Sequence, residues 1–243
     1  MIPTSEETGQ LYDLRLIHPS LTVISGPVGS GKTSLAVRII KDKNRIIQNG
    51  KDIQNIIVFY HTYQPLYDQL LDLYPQTKLI ERSPTVKEFT ELTESFADEG
   101  GSICLVDDYM NQIDSEFSEI ATVSSRHNKC FTIMLFQSIF PPSKYARLIS
   151  LNATYYHIFP DPRNIQSVSN LTRQMLGSNS NYVVSAYKHV TEKPYSYFTI
   201  DLSQRIPQYL RFRSNIFMDN GPMKCYIEDE TNWTPGQKRK RRK

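Results

Sequence analysis

Residues Gly26-Pro27-Val28-Gly29-Ser30-Gly31-Lys32-Thr33 follow the pattern of glycine, four residues, then Gly-Lys-Ser/Thr. No other stretch constrains the chain as strongly. An apolar run at 21–25 precedes it and a helical pattern at 34–41 follows, which is the strand–loop–helix setting that this pattern requires. Glycines let a backbone fold around an anion with no side chain in the way, and the helix that follows turns its positive end toward that anion. The expected ligand is a nucleoside triphosphate, ATP, held by Gly26 through Ser34. Lys32 would reach its β- and γ-phosphates, and the Thr33 hydroxyl would hold Mg²⁺.

The second half of such a site is expected at 102–108, an apolar strand ending in Asp107 and Asp108. In enzymes with this loop the first carboxylate holds Mg²⁺ through water. An adjacent second one can orient and deprotonate the water that attacks the γ-phosphate. Gln137 closes the next apolar strand, 131–136, where an amide can sense the γ-phosphate or place the attacking water; the plainer reading is a turn former. Arg126 ends the helix between these two strands and is the first candidate for a finger reaching a neighbouring subunit's nucleotide, with Arg147 in reserve. The plainer reading of Arg126 is a surface charge near a helix C-terminus. His127 and Cys104 have no second ligand at a metal-binding spacing and read as surface polarity and packing.

Apolar runs at 56–60, 78–80, 102–107, 131–136 and 154–159 alternate with helical patterns at 63–73, 85–97, 114–125 and 144–150. Alternation of this kind gives a mainly parallel sheet covered on both faces, an α/β fold of three αβα layers. Further helices are expected at 165–176 and 182–190. Late strands are expected at 197–202 and 209–217 as an antiparallel edge, and a short edge strand around Leu11, Tyr12, Leu14 and Leu16. Residues 1–17 read as a lead-in, 18–220 as the nucleotide-binding domain, and 221–243 as an extension with a basic tail.

With 243 residues, 39% of them hydrophobic, the chain can bury a full core. Three scattered cysteines, Cys104, Cys130 and Cys225, argue for reduced thiols rather than a disulfide framework. The first residues lack the basic start and apolar stretch of a signal peptide, and no run suits a membrane span, so a soluble intracellular protein is expected. The formal charge of +3 is carried by Lys238-Arg239-Lys240-Arg241-Arg242-Lys243. Removing those six from the 28 basic residues leaves 22 against 25 acidic ones, a balance of −3. The tail reads as a nuclear-import signal or a phosphate-binding arm.

A GTPase would carry Asn-Lys-x-Asp, but Asn128-Lys129 is followed by Cys130-Phe131. An Arg-rich lid typical of nucleotide kinases is not evident. The adjacent acids and the strand-end amide suit an additional-strand ATPase of the RecA-like kind.

His18-Pro19-Ser20-Leu21-Thr22-Val23-Ile24-Ser25-Gly26-Pro27 resembles the start of viral DNA-packaging ATPases of the FtsK–HerA type, those of Polinton/Maverick-like elements and adintovirus-like viruses above all. The resemblance continues through Tyr63-Gln64-Pro65-Leu66-Tyr67, Leu105-Val106-Asp107-Asp108-Tyr109-Met110, Ser125-Arg126-His127-Asn128, Leu135-Phe136-Gln137-Ser138 and Phe159-Pro160-Asp161-Pro162-Arg163. It covers roughly residues 15–220 and departs from the usual pattern at Ser20 and Ser138. It implies a homo-oligomeric ring, a pentamer or hexamer, that hydrolyses ATP to drive double-stranded DNA into a preformed capsid. Viral capsid or portal-vertex proteins would be its partners, in the host nucleus or at the virus assembly site, with retention in the virion a further expectation. In that family an arginine placed like Arg126 serves the adjacent subunit. The alternative to a motor is a slow ATP-binding switch or scaffold on capsid or DNA; a small-molecule kinase is a more distant one.

Overall fold

A computed structural model describes residues 12–109, 113–163, 165–217, 219 and 221–228. The lead-in residues 1–11, Met110 and the basic tail lie outside the described residues. Among the described residues eight strands form one sheet: β1 Ser20–Ser25, β2 Asn55–Tyr60, β3 Lys78–Ile80, β4 Ser102–Asp107, β5 Cys130–Phe136, β6 Tyr155–Ile158, β7 Phe198–Asp201 and β8 Phe212–Arg213. Their order is β3-β2-β4-β5-β1-β6-β7-β8. The first six pair in parallel, and β7 and β8 close one side antiparallel. The expected three-layer α/β fold is the observed one.

The central strands are buried along their whole length, which is why they read as continuous apolar runs and not as alternating ones. Alternate residues still serve opposite faces. Ile24, Ile103, Leu105, Ile133 and Leu135 pack with helix α1 (Lys32–Lys41), the short helix α2 (Lys43–Ile46) and α3 (Asp68–Leu73). Val23, Cys104, Val106, Met134 and Phe136 face the other layer. That layer holds α4 (Val86–Thr93), α5 (Ser115–Glu119), α7 (Lys144–Asn152), α8 (Ile165–Leu176) and α9 (Asn181–Val190). Side-chain oxygens cap three of these helices: Thr85 on α4, Asp114 on α5 and Ser143 on α7 accept from backbone N–H groups.

Three local expectations need correction. The helix expected at 114–125 is α5, a π-helical turn Ile120–Ser124 and a one-turn α6, Ser125–His127. Ser125 Oγ donates to Ile120 O five residues back, which fits the wider turn. The strand expected at 209–217 shrinks to the two residues of β8, because Gln208–Leu210 forms a 3₁₀ turn and Arg211 folds back to donate to Asp201 O at 3.0 Å. Ile216 and Phe217 then pack on the α1 layer instead of extending the sheet. Around Leu16 the described residues show a single parallel bridge to Ile47 and no strand.

Candidate active site

The sheet order decides where the chemistry-bearing side chains meet. β5 lies between β1, which feeds the glycine loop, and β4, which ends in the acids. The register pairs Ser25 with Phe136 and Val106 with Met134, so the loop, Asp107 and Gln137 emerge at one edge of the sheet. Gly26 N donates to Phe136 O at 3.1 Å and ties the loop to the end of β5.

Glycine is required in the loop on two counts. Gly29 and Gly31 have φ of 77° and 102°, in the left-handed region that side chains disfavour. A Cβ at Gly26 would stand 2.6 Å from Phe159 Cβ. Unlike the three helices capped by side chains, α1 begins at Gly31 with no side-chain cap, which leaves its first N–H groups to an anion. Ser30 Oγ is buried with no partner among the described residues. Lys32 Nζ reaches across the loop and donates to Gly26 O and Pro27 O, each at 2.9 Å. Burial pulls its pKa down while Asp107 and Asp108 hold it up, so the ammonium sits within the field of both acids. Val28, at the tip, is 82% exposed.

Asp107 is buried at the end of β4, and its Oδ2 accepts from Tyr67 at 2.6 Å, Thr33 Oγ1 at 3.0 Å and Gln64 at 3.4 Å. Burial raises the carboxyl pKa, and the bonds from Tyr67 and Thr33 work against that rise. Burial also pushes the Tyr67 hydroxyl well above the usual phenol range, with Asp107 adding to it, so Tyr67 stays a protonated donor. The chain then turns sharply. Asp108 has φ of 65°, rare for a residue with a side chain, and this separates a buried Asp107 from an exposed Asp108 beside it. His61 N, donating to Asp107 O at 3.3 Å, and Tyr109, whose hydroxyl donates to Tyr60 O, brace the turn.

A cavity of about 600 Å³ opens over these groups, a size suited to a small ligand. Its lining includes the polar groups of Lys32, Thr33, Ser34, Asp107, Asp108 and Gln137, and also Val28, Arg38, Phe159, Tyr195 and Tyr197. Thr33 and Asp107 present hard oxygens 3.0 Å apart at the start of α1, a donor set that fits Mg²⁺, an ion that takes few protein ligands and keeps water and phosphate oxygens. Among the described residues no three His, Cys, Asp or Glu side chains gather as a metal site of their own.

Arg126 and Arg147 do not join this constellation. Arg126 precedes β5 and so lies at the opposite edge of the sheet, where it is exposed; the strand between spans about 20 Å. Arg147 is exposed on α7 beside Leu148 and Leu151, the latter 68% exposed. Neither is among the residues that line the cavity. His127 is exposed and Cys104 is buried in the core.

Sequence reasoning attached no role to Tyr67, Gln64, Arg38, Phe159, Tyr195 or Tyr197. Gln64, Tyr67 and Phe159 fall within blocks that carry the family resemblance, which was the available signal. Tyr195 and Arg38 offered none.

Solved structures share this fold. The genome packaging NTPase B204 of Sulfolobus turreted icosahedral virus 2, in complex with ATP-gammaS, superposes with a TM-score of 0.53 at 14% identity, over 86% of this chain and 97% of that one. Its complex with AMPPCP gives 0.52 at 14% identity, over 86% and 97%. Its complex with sulfate gives 0.52 at 14%, over 86% and 96%. The fold is that of a P-loop NTPase. Neither a protein-family model nor a curated protein matches the chain in sequence. Among the described residues no helix is long and apolar enough to cross a membrane.

Proposed function

We propose that this chain is an ATP-hydrolysing motor that moves double-stranded DNA into a preformed viral capsid, of the FtsK–HerA type and nearest to the Polinton and adintovirus-like group. The observation that carries the reading is the split acid pair: a buried Asp107 beside Thr33 and, across a left-handed turn, an exposed Asp108 on the cavity. Gln137, on the strand inserted between loop strand and acid strand, completes it. The similarity in fold to a protein named as a genome packaging NTPase supports the packaging reading.

In this reading the loop amides and Lys32 bind the phosphates, and Thr33 and Asp107 would hold Mg²⁺, which when bound would supply positive charge to the phosphoryl oxygens. Asp108 takes the proton of the attacking water, and Gln137 orients that water. Arg126 acts on a neighbouring subunit's nucleotide in a ring of five or six, which is consistent with its exposure away from its own site. Capsid or portal-vertex proteins dock the ring where virions assemble.

ATP hydrolysis with and without long double-stranded DNA, at low and moderate salt, tests the reading. A severalfold stimulation that weakens with salt and depends on subunit concentration supports it. Asp108→Asn is expected to keep ATP binding and to lower turnover by about 10²- to 10⁴-fold. Mixing it with Arg126→Ala subunits should restore part of the activity; full turnover by an isolated monomer would sink the ring. One observation favours a second reading, a slow ATP switch on capsid or DNA. Apart from the last six residues the chain is slightly acidic at −3, whereas a pore that grips DNA is usually basic. ATP binding with negligible turnover under every condition, capsid components included, would select it.

A further inference from the structure

The aromatic part of the cavity lining, Phe159, Tyr195 and Tyr197, offers no charged group for a phosphate and invites a different part of the ligand. Tyr195 is 72% exposed, yet its backbone is held at φ 62°, a conformation that an aromatic residue adopts only under constraint. The constraint is a tight turn closed by Ser196 N donating to Lys193 O at 3.2 Å. The turn sets the Tyr195 ring over the start of α1: a Cβ at Gly31 would lie 3.6 Å from Tyr195 Cδ1. Tyr197 packs on Phe159 with ring centres 5.7 Å apart, and its hydroxyl accepts from Ile216 N at 3.3 Å. The Arg38 guanidinium, which also lines the cavity, lies 3.9 Å over the Phe217 ring and is ion-paired with Asp219, so a second flat group is fixed in place.

We infer that Tyr195 is a stacking plate for the purine base of a nucleoside triphosphate whose phosphates occupy the glycine loop, an assignment that rests on the nucleotide-binding reading above. A flat, exposed aromatic ring anchored through a strained backbone presents a π-face without burying it in the protein core, which is what base stacking needs. The affinity it adds belongs to the base and not to the phosphates.

Equilibrium binding of Mg-ATPγS and of Mg-tripolyphosphate, measured by calorimetry, separates contacts to the base from contacts to the phosphates. Wild type is expected to bind ATPγS more tightly than tripolyphosphate. Tyr195→Ala should weaken ATPγS roughly tenfold and leave tripolyphosphate unchanged, and Tyr195→Phe should stay close to wild type. Tyr195→Gly, which suits the left-handed backbone, should show the same selective loss with no fall in melting temperature, and so separates lost stacking from a damaged turn. An equal weakening of both ligands, or of neither, overturns the inference while the phosphate site stands. Failure of wild type to bind either ligand overturns the nucleotide reading with it.

Discussion

Two buried aspartates are held in opposite ways. At the antiparallel side of the sheet, Asp201 meets Arg213 at 2.5 Å, both almost wholly inaccessible, and accepts from Ser203 N at 2.9 Å. The same guanidinium donates to Leu14 O at 3.1 Å, pinning the chain that leads into β1. At the end of β4, Asp107 is held by two hydroxyls and an amide, and the nearby ammonium of Lys32 bonds to loop carbonyls instead of to it. A carboxylate neutralised by arginine is committed to structure. One positioned by neutral donors keeps its charge for a cation that arrives from outside.

Substitution should separate the two. Asp201→Asn strands a buried guanidinium and is expected to cost about 3–5 kcal/mol in urea unfolding. Asp107→Asn removes a buried carboxylate that no cation bonds directly and should change stability by less than about 1 kcal/mol while abolishing Mg²⁺-dependent turnover. Equal losses of stability would end the distinction.

Acid sharpens it further. His157, fully buried beside Arg213 and bonded through Nδ1 to Thr199 at 3.0 Å, has its pKa driven from 6.5 down to about 3, first by burial and then by the Arg213 charge. The unfolded chain therefore takes up a proton that the folded one refuses. Stability is intact above 6.5 and should fall as pH drops from 6.5 toward 3, by up to about 1.4 kcal/mol per pH unit. His157→Phe should flatten that part of the unfolding curve; an unchanged slope would place the acid sensitivity elsewhere.

The smallest effect is at Tyr67. Tyr67→Phe removes the shortest bond to Asp107 and should cost about 1 kcal/mol in stability. It should also raise severalfold the Mg²⁺ needed for half-maximal turnover, with the ATP requirement at saturating Mg²⁺ little changed. A matching shift in both would mean that Tyr67 supports the whole site and not the carboxylate alone.

The strands of the core were legible because each is an uninterrupted apolar run bounded by polar turns, and the glycine loop because its residues admit few other conformations. The run 209–217 misled because Phe212 alternates with Arg211 and Arg213 like a surface strand, whereas both arginines fold onto Asp201. The left-handed turns at Asp108 and Tyr195 left no mark, since neither is a glycine. Tyr67 could be placed on a helical turn, but not aimed, because the strand order that brings it to Asp107 is a property of the whole sheet.

β5 is bonded along both flanks, to β1 and to β4, and is buried from end to end. Such a strand neither stretches nor bends on its own. It therefore behaves as a strut about 20 Å long with Gln137 at one tip and Arg126 just beyond the other. The two side chains to which the proposed mechanism gives roles at different subunits' nucleotides are thus joined through one buried element, with only Asn128 and Lys129 between β5 and the helical turn that carries Arg126.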